Sequence, residues 1–259
     1  MSELNARHVT YEEIVDTLRP DAPDIEGPVL DEIARSGGGY ATVTKSRVMV
    51  MDSRNRMAVI SSPGGSPGDP HLHDDFNEWW VAFGGEMRYR VGEYEPFKAH
   101  FGDIIVAPSG YRHDPRAWKG EMCMRMVTGK PGSNHDLKGL VPSRTIPLED
   151  HWEPPNRIFT PLDYMIDRHG LEEDWRETVI LDQRNRVEMW HVMPGGPMAT
   201  MSGESEAWWV VLRGSVSFHL GGDVVDAGQG DVVYSGDGES SSISVDGDES
   251  AIFIEVLEP

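Results

Sequence analysis

The feature that most constrains this 259-residue sequence is that it repeats itself. The stretch VMVMDSRNRMAVISSPGGSP, from residue 48, returns as TVILDQRNRVEMWHVMPGGPM from residue 178. Asp52, Arg54, Asn55 and Arg56 align with Asp182, Arg184, Asn185 and Arg186. Further on, EWWVAFGG answers AWWVVLRG, and GDIIVAPSG answers GDVVYSGDG. A long, ordered, collinear echo means two copies of one structural unit.

Each copy alternates short runs rich in Val, Ile, Met and Tyr with turn clusters, as in SRVMVMD, RMAVIS, MRYRVG and GDIIVAP. Many short strands at regular spacing predict an all-β sandwich or barrel, and no long amphipathic helix supports a parallel βαβ sheet. The expected organisation has four parts. An N-terminal helical or irregular segment covers 1–35, a first β domain 36–130, a proline-rich connection 131–169, and a second β domain 170–259. Thr10-Tyr11-Glu12-Glu13 has the form of a capping box, which predicts a short helix over 11–19 ended by Pro20, with one more helical turn near Leu30–Ile33.

Charge excludes some partners. With 23 basic and 44 acidic residues the formal net charge is −21. Such a surface repels phosphate backbones and anionic membranes, so neither nucleic acid nor membrane is expected as a partner. The single cysteine, Cys123, rules out an internal disulfide and lies in an apolar run, where a buried thiol is expected. The polar start carries no signal-peptide core and no apolar run reaches spanning length, so a soluble cytoplasmic protein is expected.

The first copy contains GSPGDPHLHDDFNEWWVAFGG, residues 65–85. His71 and His73 are two apart, so on a strand both side chains point to one face. Glu78 heads the next apolar run and reaches the same region. After the strand of GDIIVAPSGYRH comes His113. Imidazoles and a carboxylate together suit Fe(II), Mn, Ni, Cu or Zn. Three imidazoles and one carboxylate leave one or two positions open on a five- or six-coordinate ion, whereas zinc tends to a closed, structural, four-coordinate site.

These residues resemble the two motifs of the cupin superfamily. Gly65, His71, His73, Glu78 and Gly85 fill the first, G-x5-H-x-H-x3,4-E-x6-G. Gly102, Pro108, Gly110 and His113 fill the second, G-x5-P-x-G-x2-H-x3-N, with Ala117 in place of the final asparagine. The resemblance implies two jelly-roll-like β-barrels in tandem, a bicupin, with metal ligands His71, His73, Glu78 and His113 and a homodimeric assembly.

In the second copy Ser202 and Glu204 stand near the positions of His71 and His73, Ala207 stands opposite Glu78, Gly236 replaces Pro108, and Ser241 replaces His113. No histidine remains at a ligand position, so this half is expected to be a scaffold. Glu204 and Glu206 read as an exposed acidic loop, and His191 and His219 as structural. His135 and His151, in the connection, reach a site only if that segment folds over it.

Fold resemblance alone does not choose a reaction. The stretch HDDFNEWWVAFGGEMRYRVGEYEPFKAHFGDIIVAPSGYRHDPRA is similar to ring-cleaving cupin dioxygenases of the homogentisate and 3-hydroxyanthranilate types. It departs from the latter in having two histidines at 71 and 73 and no arginine just before them. The resemblance implies a mononuclear non-heme enzyme using Fe(II), a small aromatic or enolic acid, and O2. Trp80 shares the inward face of Glu78 by alternation and is placed to stack on a planar substrate, with core packing as its alternative role. Among Arg47, Arg88, Arg112, Arg116 and Arg125, the best carboxylate partner is Arg125, which interrupts an apolar strand and needs a partner if buried; Arg47 is second. Two alternatives stand beside the dioxygenase: a non-oxidative decarboxylase, lyase or isomerase, and a non-catalytic small-molecule binder.

Overall fold

The computed structural model describes residues 4–19, 44–66, 68, 70–132, 142–148, 153–196, 199–201 and 206–259. Leu30–Ile33, His135, His151, Ser202 and Glu204 lie outside them. The chain divides into two compact units, Asp16–His151 and Met1–Val15 with Trp152–Pro259.

In chain order the elements are β1 (His8–Val9), α1 (Tyr11–Leu18), β2 (Lys45–Met51), β3 (Arg56–Ser62), β4 (Glu78–Val91), β5 (Phe97–Ala99), β6 (Ile104–Ala107) and β7 (His113–Gly129). They continue with β8 (Phe159–Thr160), α2 (Leu162–His169), β9 (Trp175–Leu181), β10 (Arg186–Val192), β11 (Ala199–Met201) and β12 (Ala207–Arg213). The last are β13 (Ser215–Leu220), β14 (Asp223–Gly228), β15 (Val232–Ser235), β16 (Ser241–Ser244) and β17 (Ala251–Leu257). Among the described residues the protein is mostly antiparallel β-sheet with two short helices. Helix α1 starts as its capping box predicts: Thr10 Oγ1 accepts the backbone N–H of Glu13 at 3.2 Å. Helix α2 lies in the stretch read from sequence as a connection; its eight residues are too few for periodicity to announce. No helix among the described residues is long and apolar enough to cross a membrane.

In the 16–151 unit the strand order is β2-β3-β7-β4-β6, with β5 also beside β4. Strands β4 and β7 are long, and their register shifts at Ala82–Gly84, Gly84–Glu86 and Glu86–Met87. There the pair bends at Gly85, whose φ of 62° favours glycine.

The other unit has a sheet β1-β15-β12-β17-β10-β9 and a second sheet β11-β16-β13-β14. Trp209, Phe218, Ile243 and Phe253 from both sheets form its core.

The repeated D-x-R-N-R is a hairpin device. Asp52 Oδ1 accepts the backbone N–H groups of Arg54 and Asn55 at 2.7 and 2.5 Å, and the Asp52 N–H donates to the Asn55 carbonyl. Asp182 does the same with Arg184 and Asn185, at 2.8 and 2.9 Å. Asn55 and Asn185 are both fully buried. An aspartate that satisfies two turn amides sets the register of each first hairpin, and this explains why the motif recurs.

Candidate metal centre

Backbone pairing brings the two sequence motifs together. His71 and His113 form an antiparallel bridge, each N–H donating to the other's carbonyl, at 3.0 Å from His71 and 2.8 Å from His113. Pro108 to Tyr111 make a turn, with the Tyr111 N–H on the Pro108 carbonyl. Gly110, at a φ of 83°, turns its own N–H onto the carbonyl of His73 at 2.6 Å. Ser109 ties the same turn to the loop ahead of Glu78, through Asn77 Oδ1 and the Asp74 carbonyl. Ala117, which replaces the motif's asparagine, is buried, and its carbonyl accepts the Gly65 N–H. The motif glycines and proline thus position the histidines.

The four side chains converge. His71, His73, Glu78 and His113 are all buried, and one donor atom from each lies within 4.8 Å of all the others. Glu78 Oε2 is 3.0 Å from His113 Nε2 and 3.4 Å from His71 Nε2, and Glu78 Oε1 is 3.4 Å from His73 Nε2. Burial pushes the Glu78 carboxyl up, but the three imidazoles that face it outweigh burial and hold the group well below its ordinary range. Burial pushes the His113 ring down, with Glu78 opposing in part.

This donor set fits a metal ion. His113 Nδ1 is 3.0 Å from the Tyr111 carbonyl, which fixes the proton on that nitrogen. A neutral ring then turns its Nε2 lone pair on the ionised Glu78, acceptor against acceptor at 3.0 Å. A cation between them resolves the clash and satisfies buried polar atoms that otherwise carry a desolvation cost.

A cavity of about 420 Å³ opens onto this cluster. Its lining includes His71, Glu78, Trp80, Ile60, Arg125 and Val127. Trp80 is buried, edge-on to His113 at 5.1 Å and 5.5 Å from the ring of Tyr89. Trp79 points to the opposite face and is fully buried in the core. Arg125 is buried against the cavity. Arg47 is buried too, but its ladder partner is Val59, while the neighbouring Ile60 is the residue that lines the cavity. Arg88, Arg112 and Arg116 line grooves elsewhere on this unit. The cavity also receives Arg56 and Lys130, which the sequence reading did not single out as site residues. Their signal was parity: on β3, Arg56 shares the face of Ile60.

In the other unit Ala207 and Ser241 are buried where ligands would stand. Glu206 Oε1 accepts the Tyr234 hydroxyl at 2.6 Å. His191 Nδ1 lies 2.8 Å from the Glu173 carbonyl, and His219 Nε2 lies 3.1 Å from Ser244 Oγ.

Three imidazoles and a carboxylate, buried together on an antiparallel β scaffold, form a donor set that fits one metal ion. Solved structures bear out the fold. A salicylate 1,2-dioxygenase from Pseudoaminobacter salicylatoxidans, a variant in complex with gentisate, superposes with a TM-score of 0.72 at 10% identity, covering 100% of this chain and 83% of that one. A cupin 2 conserved barrel domain protein from Leptotrichia buccalis gives a TM-score of 0.62 at 9% identity over 83% of this chain and 89% of its own. The formate complex of Lactobacillus farciminis oxalate decarboxylase gives 0.57 at 13% identity over 100% and 87%. No family model matches the chain, and no curated protein matches it either. The fold is therefore that of the cupins. At these identities the likeness does not extend to the homogentisate or 3-hydroxyanthranilate type.

Proposed function

We propose that this protein is a mononuclear Fe(II) dioxygenase acting on a small planar acid, aromatic or enolic, with its one metal centre at His71, His73, Glu78 and His113. The observation that carries the reading is the order of side chains along the cavity. On β4 the carboxylate Glu78 comes first, the indole of Trp80 next, and Ala82, the ladder partner of Arg125, last. Those three residues alternate to one face of the strand. The cavity thus offers a metal-binding end, a flat aromatic wall and a buried guanidinium, in that sequence.

Each side chain then has a task. Arg125 accepts the substrate carboxylate through its fork of N–H donors, a pairing that also stabilises a buried cation. Trp80 holds the ring plane and Val127 and Ile60 keep the site dry, so that Arg125 acts in a low dielectric. The Tyr111 carbonyl keeps the His113 proton on Nδ1, which orients that ring. Iron, when bound, supplies the redox coupling of O2 to an electron-rich substrate. The protein contributes orientation and exclusion of water.

The test is metal analysis of protein purified without added metal, followed by oxygen consumption of the iron-loaded protein with phenolic and enolic acids. Oxygen uptake matched one-to-one by substrate loss supports the reading. Turnover that proceeds without oxygen, or with Mn in place of Fe, replaces it with the non-oxidative alternative.

A further inference from the structure

The outer face of the 16–151 unit carries a concentration of positive charge that the metal centre does not use. Strand alternation sets it up. Along β4 and β7 buried residues alternate with accessible ones, so Arg88 and Arg90 on β4 and Asp114 and Arg116 on β7 share one face of the pair, opposite the buried Tyr89 and Pro115. A depression of about 190 Å³ lies there, with Arg88, Arg90 and Arg116 in its walls and Asp114 as its one acid. It shares no lining residue with the metal cavity. A second depression adjoins it through Arg90 and Asp114 and adds Arg112 and Arg144 against Glu93. This local excess of arginine reverses the balance of a chain with 23 basic and 44 acidic residues.

The ladder makes the crowding explicit. Arg88 faces Lys98 on β5 and Arg116 on β7, so three cations stand in one row across three strands. Like charges directly opposite one another destabilise a sheet. The neighbours relieve only part of this. Lys98 reaches Glu86 at 3.0 Å, and Arg116 reaches Asp114 Oδ2 at 3.0 Å. The second contact engages the carboxylate that the ladder places opposite Arg90. Arg88 packs over the Trp118 ring, 4.9 Å from its centroid. Stacking on an indole holds a guanidinium in place without neutralising it, and it leaves the N–H donors at the guanidinium edge available.

We propose that this depression binds a phosphoryl group, with Arg88, Arg90 and Arg116 as the residues that hold it. A carboxylate has two oxygens and is satisfied by one guanidinium fork, whereas a phosphoryl group offers three oxygens and up to two charges. Three arginines at neighbouring positions of one sheet face match the second. An anion there also relieves the repulsion along the Lys98–Arg88–Arg116 row, so binding stabilises the fold. The site is independent of the reaction proposed for the metal centre.

The probes are inorganic phosphate and phenyl phosphate, titrated calorimetrically into the full chain, with acetate as the carboxylate control. Both phosphates should bind about tenfold or more tighter than acetate. Tighter binding of phenyl phosphate identifies the ligand as a phosphate ester, tighter binding of inorganic phosphate identifies it as the free ion, and equal binding shows that the phosphoryl group alone is read. Arg88→Gln and Arg90→Gln should each weaken the tighter probe by about tenfold with bound metal unchanged, and Arg88→Lys, which keeps the charge without the fork, should lose less. Phosphate should raise the melting temperature of the parent and leave that of the Arg88→Gln/Arg90→Gln double variant unmoved. Phosphate that binds no tighter than acetate, or no detectable binding of either phosphate, overturns the proposal. Binding that survives the double variant unchanged places the anion elsewhere, the metal centre included, and overturns it as well.

Discussion

Glu255 holds, in the C-terminal copy, the ladder position that Val127 holds in the copy with the His71, His73, Glu78 and His113 quartet: Val127 is opposite Trp80, and Glu255 is opposite Trp209. The neighbouring positions change with it. Ile60 pairs with Arg125, and in the other copy Trp190 pairs with Phe253. Those two rings stack, 6.0 Å apart and 9° from parallel. The face that lines a cavity in one copy is packed with aromatic side chains in the other. Loss of ligands and filling of the site go together, as expected if the cavity of the first copy exists for a substrate.

Glu255 makes the C-terminal unit sensitive to pH. Burial pushes its carboxyl up to about 7, against the indole N–H groups of Trp190 and Trp209, with Glu188 adding to the rise. The ordinary value is 4.5, so between 4.5 and about 7 the folded state holds the proton more tightly than the unfolded chain. Stability from this group is complete below the lower value and is lost as pH rises through the upper one. A shift of this size corresponds to about 3 kcal/mol. Glu255→Gln should match the parent near pH 4 and exceed its stability by up to that amount at pH 8, read by urea unfolding. A constant difference across that range refutes the assignment.

Removing a ligand should empty the metal site without unfolding the chain. In the other unit Ser241 stands at the His113 position, and β16 still pairs on both sides. The architecture therefore persists without an imidazole. His113→Ala should lower bound metal from one ion per chain to below about a tenth at equal metal supply, with the β-sheet circular dichroism unchanged. Retention of stoichiometric metal excludes His113 as a ligand.

Much of this was legible in the sequence, for definite reasons. The quartet His71, His73, Glu78 and His113 was visible because metal ligation restricts residue type and spacing together. The double fold was visible because the hairpin aspartates Asp52 and Asp182 repeat with their neighbours. The ranking of arginines was legible only in part. Arg125 and Arg47 both interrupt apolar strands, and nothing local says which one faces the cavity; that depends on strand parity and on the pairing of β3 with β7. Arg56 was seen as part of the repeat and not as a cavity residue for the same reason. Helix α2 was missed because two turns of helix leave too short a pattern.

The hairpin aspartates should matter for stability and not for metal binding. Asp52 satisfies two amides that the turn would otherwise leave without partners, and its side chain is fully buried. Asp52→Ala and Asp182→Ala should each cost about 1–3 kcal/mol. Thermal unfolding and metal content of the two variants settle this. A drop in metal with no loss of stability in Asp52→Ala would show that the motif serves the site.

The last glycine of the first motif is a bend and not a ligand-shaping residue, and the second copy provides the control. Gly85 and its counterpart Gly214 have φ of 62° and 72°. A Cβ on Gly85 would lie 2.8 Å from the Met122 carbonyl oxygen and 2.9 Å from Cys123 Sγ. One on Gly214 would lie 2.6 Å from the Ser250 carbonyl oxygen. In both, the obstacle includes backbone of the adjacent strand, which cannot rotate away, and the left-handed φ adds its own strain. Because Gly214 belongs to the unit that shows no metal quartet among its described residues, its role is to let two strands approach closely at a bend. Gly85→Ala and Gly214→Ala should therefore both destabilise, by at least about 2 kcal/mol, and Gly214→Ala should keep a full complement of metal. Differential unfolding curves read alongside metal content decide it: a neutral Gly214→Ala beside a damaging Gly85→Ala would mean that the glycine at 85 is required by the metal centre itself.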